Sequence, residues 1–279
     1  MNTVVDVCNL AIGYGEKTII KGINASMSAG ELIGIIGCNG AGKSTLLKTI
    51  RGLLPPQEGE IRYFGKVLAD YGEKELARKV AYLQQHVETS FGYTGMDIVL
   101  TGRYPYMQWW EREKPEDKEL AKACMSYTGT LNLADRRVTE VSGGQKQRIL
   151  LAKVLAQQTP VLFLDEPTTG LDMVYREEIF RFARELAHMG KTILMVVHEL
   201  DLAAVYCSRI LLLGEGRLLA DGTPEKVFTE TLLSRAYEAD ISVVKNPLSG
   251  KLEITTRENE EAKRKEEQLL HKICCTADA

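Results

Sequence analysis

Long apolar runs are missing from this 279-residue chain, and none approaches the ~20 residues needed to cross a bilayer. The N-terminus, Met1-Asn2-Thr3-Val4-Val5-Asp6, lacks the basic and apolar stretches of a secretory leader. A protein kept in the cytoplasm, reaching a membrane only through partners, is therefore expected. Paired C-x-x-C spacing is also missing. Cys8, Cys38, Cys124, Cys207, Cys274 and Cys275 are scattered, which reads as reduced thiols rather than a disulfide or zinc framework. Adjacency of Cys274 and Cys275 is poor evidence for lipidation. Histidine is scarce, and His86, His188 and His271 share no metal-ligand spacing with the cysteines. Charge of one sign is not in excess, and a net charge of -3 argues against a dedicated nucleic-acid binder. Hydrophobic residues at 44% and charged residues at 26% are ordinary globular usage, with ample material for a core.

What the chain does contain begins with Gly37-Cys38-Asn39-Gly40-Ala41-Gly42-Lys43-Ser44, which fits G-x-x-x-x-G-K-[ST]. In such a loop backbone N–H groups wrap phosphates, Lys43 reaches the β and γ phosphates, and Ser44 ligates Mg²⁺. Glycine serves here because amides turned inward need positive φ and close approach. Leu32-Ile33-Gly34-Ile35-Ile36 before the loop reads as a buried parallel strand, and Ser44 to Ile50 as a helix ending at Gly52. The helix N-terminus then faces the phosphates with its partial positive charge. Cys38 inside this loop is a candidate for inactivation by thiol reagents.

A second apolar run, Val161 to Leu164, leads directly into Asp165 and Glu166. A buried strand would deliver both carboxylates to its C-terminal edge, where ligands sit in open α/β sheets. Asp165 is expected to hold Mg²⁺, usually through water, and Glu166 to orient or deprotonate the attacking water. A third run, Thr192 to Val197, carries His198 to the same edge.

Val141-Ser142-Gly143-Gly144-Gln145 narrows the reading. With it, the chain resembles the ATP-binding subunits of ABC transporters, whose Leu-Ser-Gly-Gly-Gln signature differs here only at Val141. Over roughly residues 4–225 further elements fall where that family has them. Tyr14 stands where an aromatic stacks on adenine, a contact any π-face supports, although a turn aromatic is the alternative. Gln85 closes Tyr82-Leu83-Gln84-Gln85 as a Q-loop, Thr169-Gly170-Leu171-Asp172 looks like the D-loop, and His198 looks like the switch histidine. Ser208 stands where relatives commonly carry Asp. The resemblance implies an α/β fold, a P-loop NTPase (RecA-like) core sheet with an inserted α-helical subdomain. It implies ATP and Mg²⁺ as ligands, with Glu166, His198 and Gln85 catalytic and Ser44, Gln85 and Asp165 at the metal. ATP would be held by Tyr14, by Gly37 to Ser44 with Thr45, and by Ser142, Gly143, Gly144, Gln145 and Asp172. In this family the signature of one molecule caps the γ-phosphate held by Lys43 of another, so an ATP-dependent head-to-tail dimer is expected.

Organisation along the chain fits an insertion. Residues 1–86 read as short strands plus the loop helix, 87–156 as helical, 157–225 as strand and helix again, and 226–279 as an extension with a charged tail. Leu120, Cys124, Tyr127 and Leu131 suggest one apolar helix face, and Gln147 to Ala156 a helix continuing from Ser142. Gly102-Arg103-Tyr104-Pro105 resembles a segment of importer subunits for iron-siderophore, haem and cobalamin, and Leu76 to Tyr82 and Ser249-Gly250 fit the same group. Trp109 and Trp110 either contact a membrane subunit or pack within the helical block. The expected protein is the ATPase subunit of such an importer, peripheral at the cytoplasmic face of the membrane, with separate permease subunits and, indirectly, an extracytoplasmic solute-binding protein. An importer ATPase for another cargo, or a soluble ABC ATPase, is the alternative.

Overall fold

Two antiparallel strands of 12 residues, β1 (Thr3–Tyr14) and β2 (Lys17–Ser28), are longer than the short strands expected here. Then come β3 (Leu32–Ile36), α1 (Lys43–Arg51), β4 (Glu58–Tyr63), β5 (Lys66–Val67), α2 (Glu73–Ala77) and β6 (Val80–Leu83). Three helices follow, α3 (Gly95–Leu100), α4 (Pro115–Tyr127) and α5 (Gly143–Ala156). Alternation then resumes with β7 (Val161–Asp165), α6 (Met173–His188), β8 (Thr192–Val196), α7 (Leu200–Tyr206), β9 (Arg209–Gly214) and β10 (Arg217–Gly222). Then follow α8 (Pro224–Val227), α9 (Glu230–Tyr237), β11 (Ile241–Lys245) and β12 (Leu252–Thr256). This computed structural model describes residues 3–84, 92–247, 250–257, 269, 270 and 273. Gln85, His86, Ser249, His271, Cys274, Cys275 and most of the charged tail lie outside the described residues.

The larger sheet has the order β10-β9-β3-β8-β7-β6, parallel except at β10. β3, β7 and β8 are buried at every position, as strands covered on both faces must be. Alternate residues of β7 serve opposite cores. Val161 and Phe163 pack with α1 and the antiparallel sheet β2-β1-β4-β5, whereas Leu162 and Leu164 pack beneath α5 and α6. Each fully buried side chain of this size stabilises the fold by about 1.5–3 kcal/mol. The sandwiched sheet therefore holds its C-terminal edge firmly, and that edge carries the site. Ser208 helps from the side: its hydroxyl accepts from the Leu32 N–H at 3.0 Å and donates to the Leu32 carbonyl at 3.1 Å.

The helical block has its own core of Val99, Met125, Leu133, Ile149 and Ala152. Its apolar face on α4 is the expected one in part: Cys124 is buried and Leu120 packs half-buried against this core, joined by Ala121 and Met125. Tyr127 is instead 63% exposed, and Leu131, beyond the helix end, is 44% exposed. A turn at Gly129, φ 64, ends the periodicity before Leu131. Trp109 and Trp110 stack edge to face and stay exposed rather than packing into the block.

The segment Thr101–Tyr106 forms a 3₁₀ turn against the C-terminal end of α5. A Cβ on Gly102 would sit 2.4 Å from the Lys153 carbonyl oxygen, so only glycine permits this approach. Arg103 points inward. Its Nε donates to Asp117 Oδ1 at 2.7 Å and its Nη1 to the Ala156 carbonyl at 2.9 Å.

Candidate active site

The loop between β3 and α1 has Gly37, Gly40 and Gly42 at φ of 147°, 81° and 91°. A Cβ on Gly37 would lie 2.4 Å from the Leu213 carbonyl oxygen, so this glycine answers both dihedral and space. Gly42 caps α1 without any side-chain acceptor for the first-turn amides, the arrangement that suits an anion. Asn39 and Gly40 are exposed, and Ala41 closes the turn with its N–H on the Cys38 carbonyl at 3.2 Å. Lys43 is buried, its ammonium donating to the Gly37 and Cys38 carbonyls at 2.8 and 2.9 Å. Burial draws that ammonium below the usual lysine range, against Glu166 and Asp165, whose charges raise it.

Asp165 ends β7 and is buried. Ser44 Oγ donates to its Oδ1 at 2.7 Å and the Tyr82 hydroxyl to its Oδ2 at 2.9 Å. A hydroxyl beside a carboxylate is the hard-oxygen pair that suits Mg²⁺, so the residues present fit that ion. Glu166 follows in a left-handed conformation, φ 50, which turns its carboxylate off the strand. Its Oε1 lies 2.9 Å from His198 Nε2, and Thr169 Oγ1 donates to its Oε2 at 3.2 Å. Burial raises the Glu166 carboxyl, but His198, Thr169 and Lys43 outweigh burial and hold it below the ordinary glutamate range.

The sheet edge thus brings together Lys43, Ser44, Asp165, Glu166 and His198, all named from the sequence. Thr45 Oγ1 lies 3.4 Å from the Tyr14 hydroxyl, placing that half-exposed ring at the start of α1. Ser142 and Asp172 make local caps instead. Ser142 forms a reciprocal capping box with Gln145 on α5, beside Gly143 and Gly144, and Asp172 accepts from the Tyr175 N–H on α6 at 3.1 Å. Gln85 cannot be placed, being outside the described residues.

Three participants escaped the sequence reading. Tyr82 stood inside a quoted motif without a role. Gln147 donates from α5 to the Pro167 carbonyl at 3.2 Å, joining the signature helix to the turn after Glu166. Glu199 accepts from Thr168 Oγ1 at 3.0 Å and pairs with Arg176 at 3.6 Å. Only a one-residue offset from Glu166 and His198 signalled the last two elements' proximity.

The sequence profile described as ABC transporter matches residues 20–169. The chain belongs to the ABC transporter family. The hemin import ATP-binding protein HmuV of Thermobifida fusca is 38% identical over 247 residues, 88% of this chain and 86% of its own length. The ferric enterobactin transport ATP-binding protein FepC of Escherichia coli is 37% identical over 242 residues, 86% and 89% of the two chains. Among solved structures, an inward-facing metal-chelate type ABC transporter superposes with a TM-score of 0.81 at 25% identity, covering 93% of this chain and all of that one. As a member of this family, the chain is an ATP-binding, ATP-hydrolysing subunit with a P-loop NTPase fold. Among the described residues, no helix of this ABC subunit is long and apolar enough to cross a membrane.

Proposed function

We propose that this ABC ATPase powers uptake of an iron-siderophore, haem or cobalamin-type ligand through separate permease subunits, peripherally bound at the cytoplasmic face of the membrane. An extracytoplasmic solute-binding protein delivers the cargo to those subunits. The observation that carries the ATPase half is a single sheet edge: Ser44 meets Asp165 at 2.7 Å while Glu166 meets His198 at 2.9 Å. The importer half is supported by relatives named for hemin and ferric enterobactin transport, each aligned over most of its length.

Phosphoryl transfer to water needs positioning and charge neutralisation. Loop amides and Lys43 hold the phosphates, and Tyr14 stacks on the base. Ser44 and Asp165, with Gln85, hold Mg²⁺, which supplies further neutralisation of the phosphate oxygens. Glu166 takes the proton of the attacking water. His198, hydrogen-bonded to Glu166, keeps that carboxylate ionised and oriented. Ser142, Gly143, Gly144, Gln145 and Asp172 serve the ATP of a second copy in a head-to-tail dimer, which accords with their purely local bonds here. Residues 1–86 and 157–225 act as the ATP-binding core, 87–156 as the signature subdomain and 226–279 as an extension.

Glu166→Gln tests the chemistry. It should bind ATP, lose about 10²- to 10⁴-fold in turnover, and sediment as a dimer with ATP. Turnover near that of the parent would remove Glu166 from its role. Deleting the gene tests the cargo: uptake of one iron-chelate, haem or cobalamin ligand should vanish, and a loss confined to a sugar, amino acid or peptide would place the importer elsewhere.

A further inference from the structure

Both oxygens of the Asp165 carboxylate are engaged, and by groups of different kinds. Ser44 holds Oδ1 from the loop side, and Ser44 is itself a metal-ligand candidate. Tyr82 holds Oδ2 from β6, the edge strand, which pairs with β7 in parallel register, Tyr82 opposite Phe163. The phenol therefore reaches two positions along β7 to meet the carboxylate at the strand end. Its ring is half-buried against the core beneath the antiparallel sheet, which limits its motion. Were Ser44 to turn its oxygen to a cation, Oδ1 would be freed while the Tyr82 hydroxyl, 2.9 Å away, stayed on Oδ2. The carboxylate would then present a predetermined oxygen.

We propose that Tyr82 is a positioning residue that fixes which oxygen of Asp165 faces the divalent cation. The inference rests on Asp165 being a metal ligand, as set out above. Outer hydrogen bonds to ligating carboxylates orient them, and removing one weakens metal binding by about 10- to 100-fold. An O–H donor to an ionised acceptor is also among the stronger bonds available.

The experiment uses the full chain loaded with a non-hydrolysable ATP analogue, with Mn²⁺ in place of Mg²⁺ read by electron paramagnetic resonance. Affinity for the analogue is measured separately in a metal chelator. Tyr82→Phe preserves the ring and its packing, so folding is not at risk. It should weaken Mn²⁺ binding about tenfold while leaving metal-free analogue affinity unchanged. In an Asp165→Asn background, Tyr82→Phe should produce no further loss. Mn²⁺ affinity of Tyr82→Phe equal to that of the parent overturns the inference, as do equal losses with and without metal, which would mean a general structural effect. Asp165→Asn alone separates the two ideas. If it binds Mn²⁺ as the parent does, the metal role of Asp165 fails and this inference with it. If it binds weakly while Tyr82→Phe binds normally, only the role of Tyr82 fails.

Discussion

Replacing Arg103 by methionine should damage stability rather than chemistry. The guanidinium has four partners in one place: Asp117 at 2.7 Å, the Ala156 carbonyl at 2.9 Å, Gln158 Oε1 at 3.0 Å and the Tyr106 ring at 4.4 Å. Its side chain and that of Asp117 are 12% and 11% exposed, so neither charge is well hydrated alone. Breaking a fully buried pair costs about 3–5 kcal/mol because one charge is stranded. Here residual exposure and the Lys114 N–H, 3.2 Å from Asp117 Oδ2, soften the loss to about 2–4 kcal/mol. Arg103→Met, Asp117→Asn and the double variant form a cycle, read by urea unfolding with matched slopes. The double variant should lose less than the two singles combined. Burial raises the Asp117 carboxyl, but Arg103 and the Lys114 N–H hold it below the usual aspartate range. A depressed folded value means the stabilisation is complete above the unfolded value of about 3.9 and fades as pH falls through the folded one. The gap between parent and Arg103→Met should thus be flat at neutral pH and close in acid. A gap under about 0.5 kcal/mol at neutral pH, the size of an ordinary surface change, would refute the reasoning, as would one that widens in acid.

Lys43→Ala should weaken ATP binding by about 10- to 100-fold, since a charged donor to phosphate is removed; unchanged affinity in calorimetric titration would contradict this. Gly102→Ala forces a Cβ to 2.4 Å from the Lys153 carbonyl and should cost about 1–3 kcal/mol. An unaltered melting temperature would show that the turn relaxes freely.

The elements legible in the sequence were those whose signal is local. β3, β7 and β8 are continuous apolar runs because both faces are covered, and the loop glycines announce their dihedrals directly. Asp165, Glu166 and His198 were readable because each follows such a run. Less legible were features decided by partners distant in sequence. The β11–β12 hairpin is mostly half-exposed or exposed, so it lacks a strong apolar pattern; Arg257, bound to Glu230, ties it to α9. Arg103 reads as a surface cation until Asp117 and the end of α5 are in place around it. Tyr82 shows only an aromatic on a strand, since its acceptor comes from the neighbouring strand.

The lysine that spans two carbonyls of its own loop also has a consequence for selectivity. Gly37 and Cys38 oxygens act as an internal competitor, occupying the ammonium from within the same eight-residue turn. If Lys43 binds phosphate as proposed, binding is an exchange of partners. A ligand must then supply anionic oxygens that replace two neutral ones at Lys43, so a nucleoside triphosphate should bind better than a monophosphate, which ends nearer the base. On that reading the loop selects by phosphate chain length before any chemistry begins.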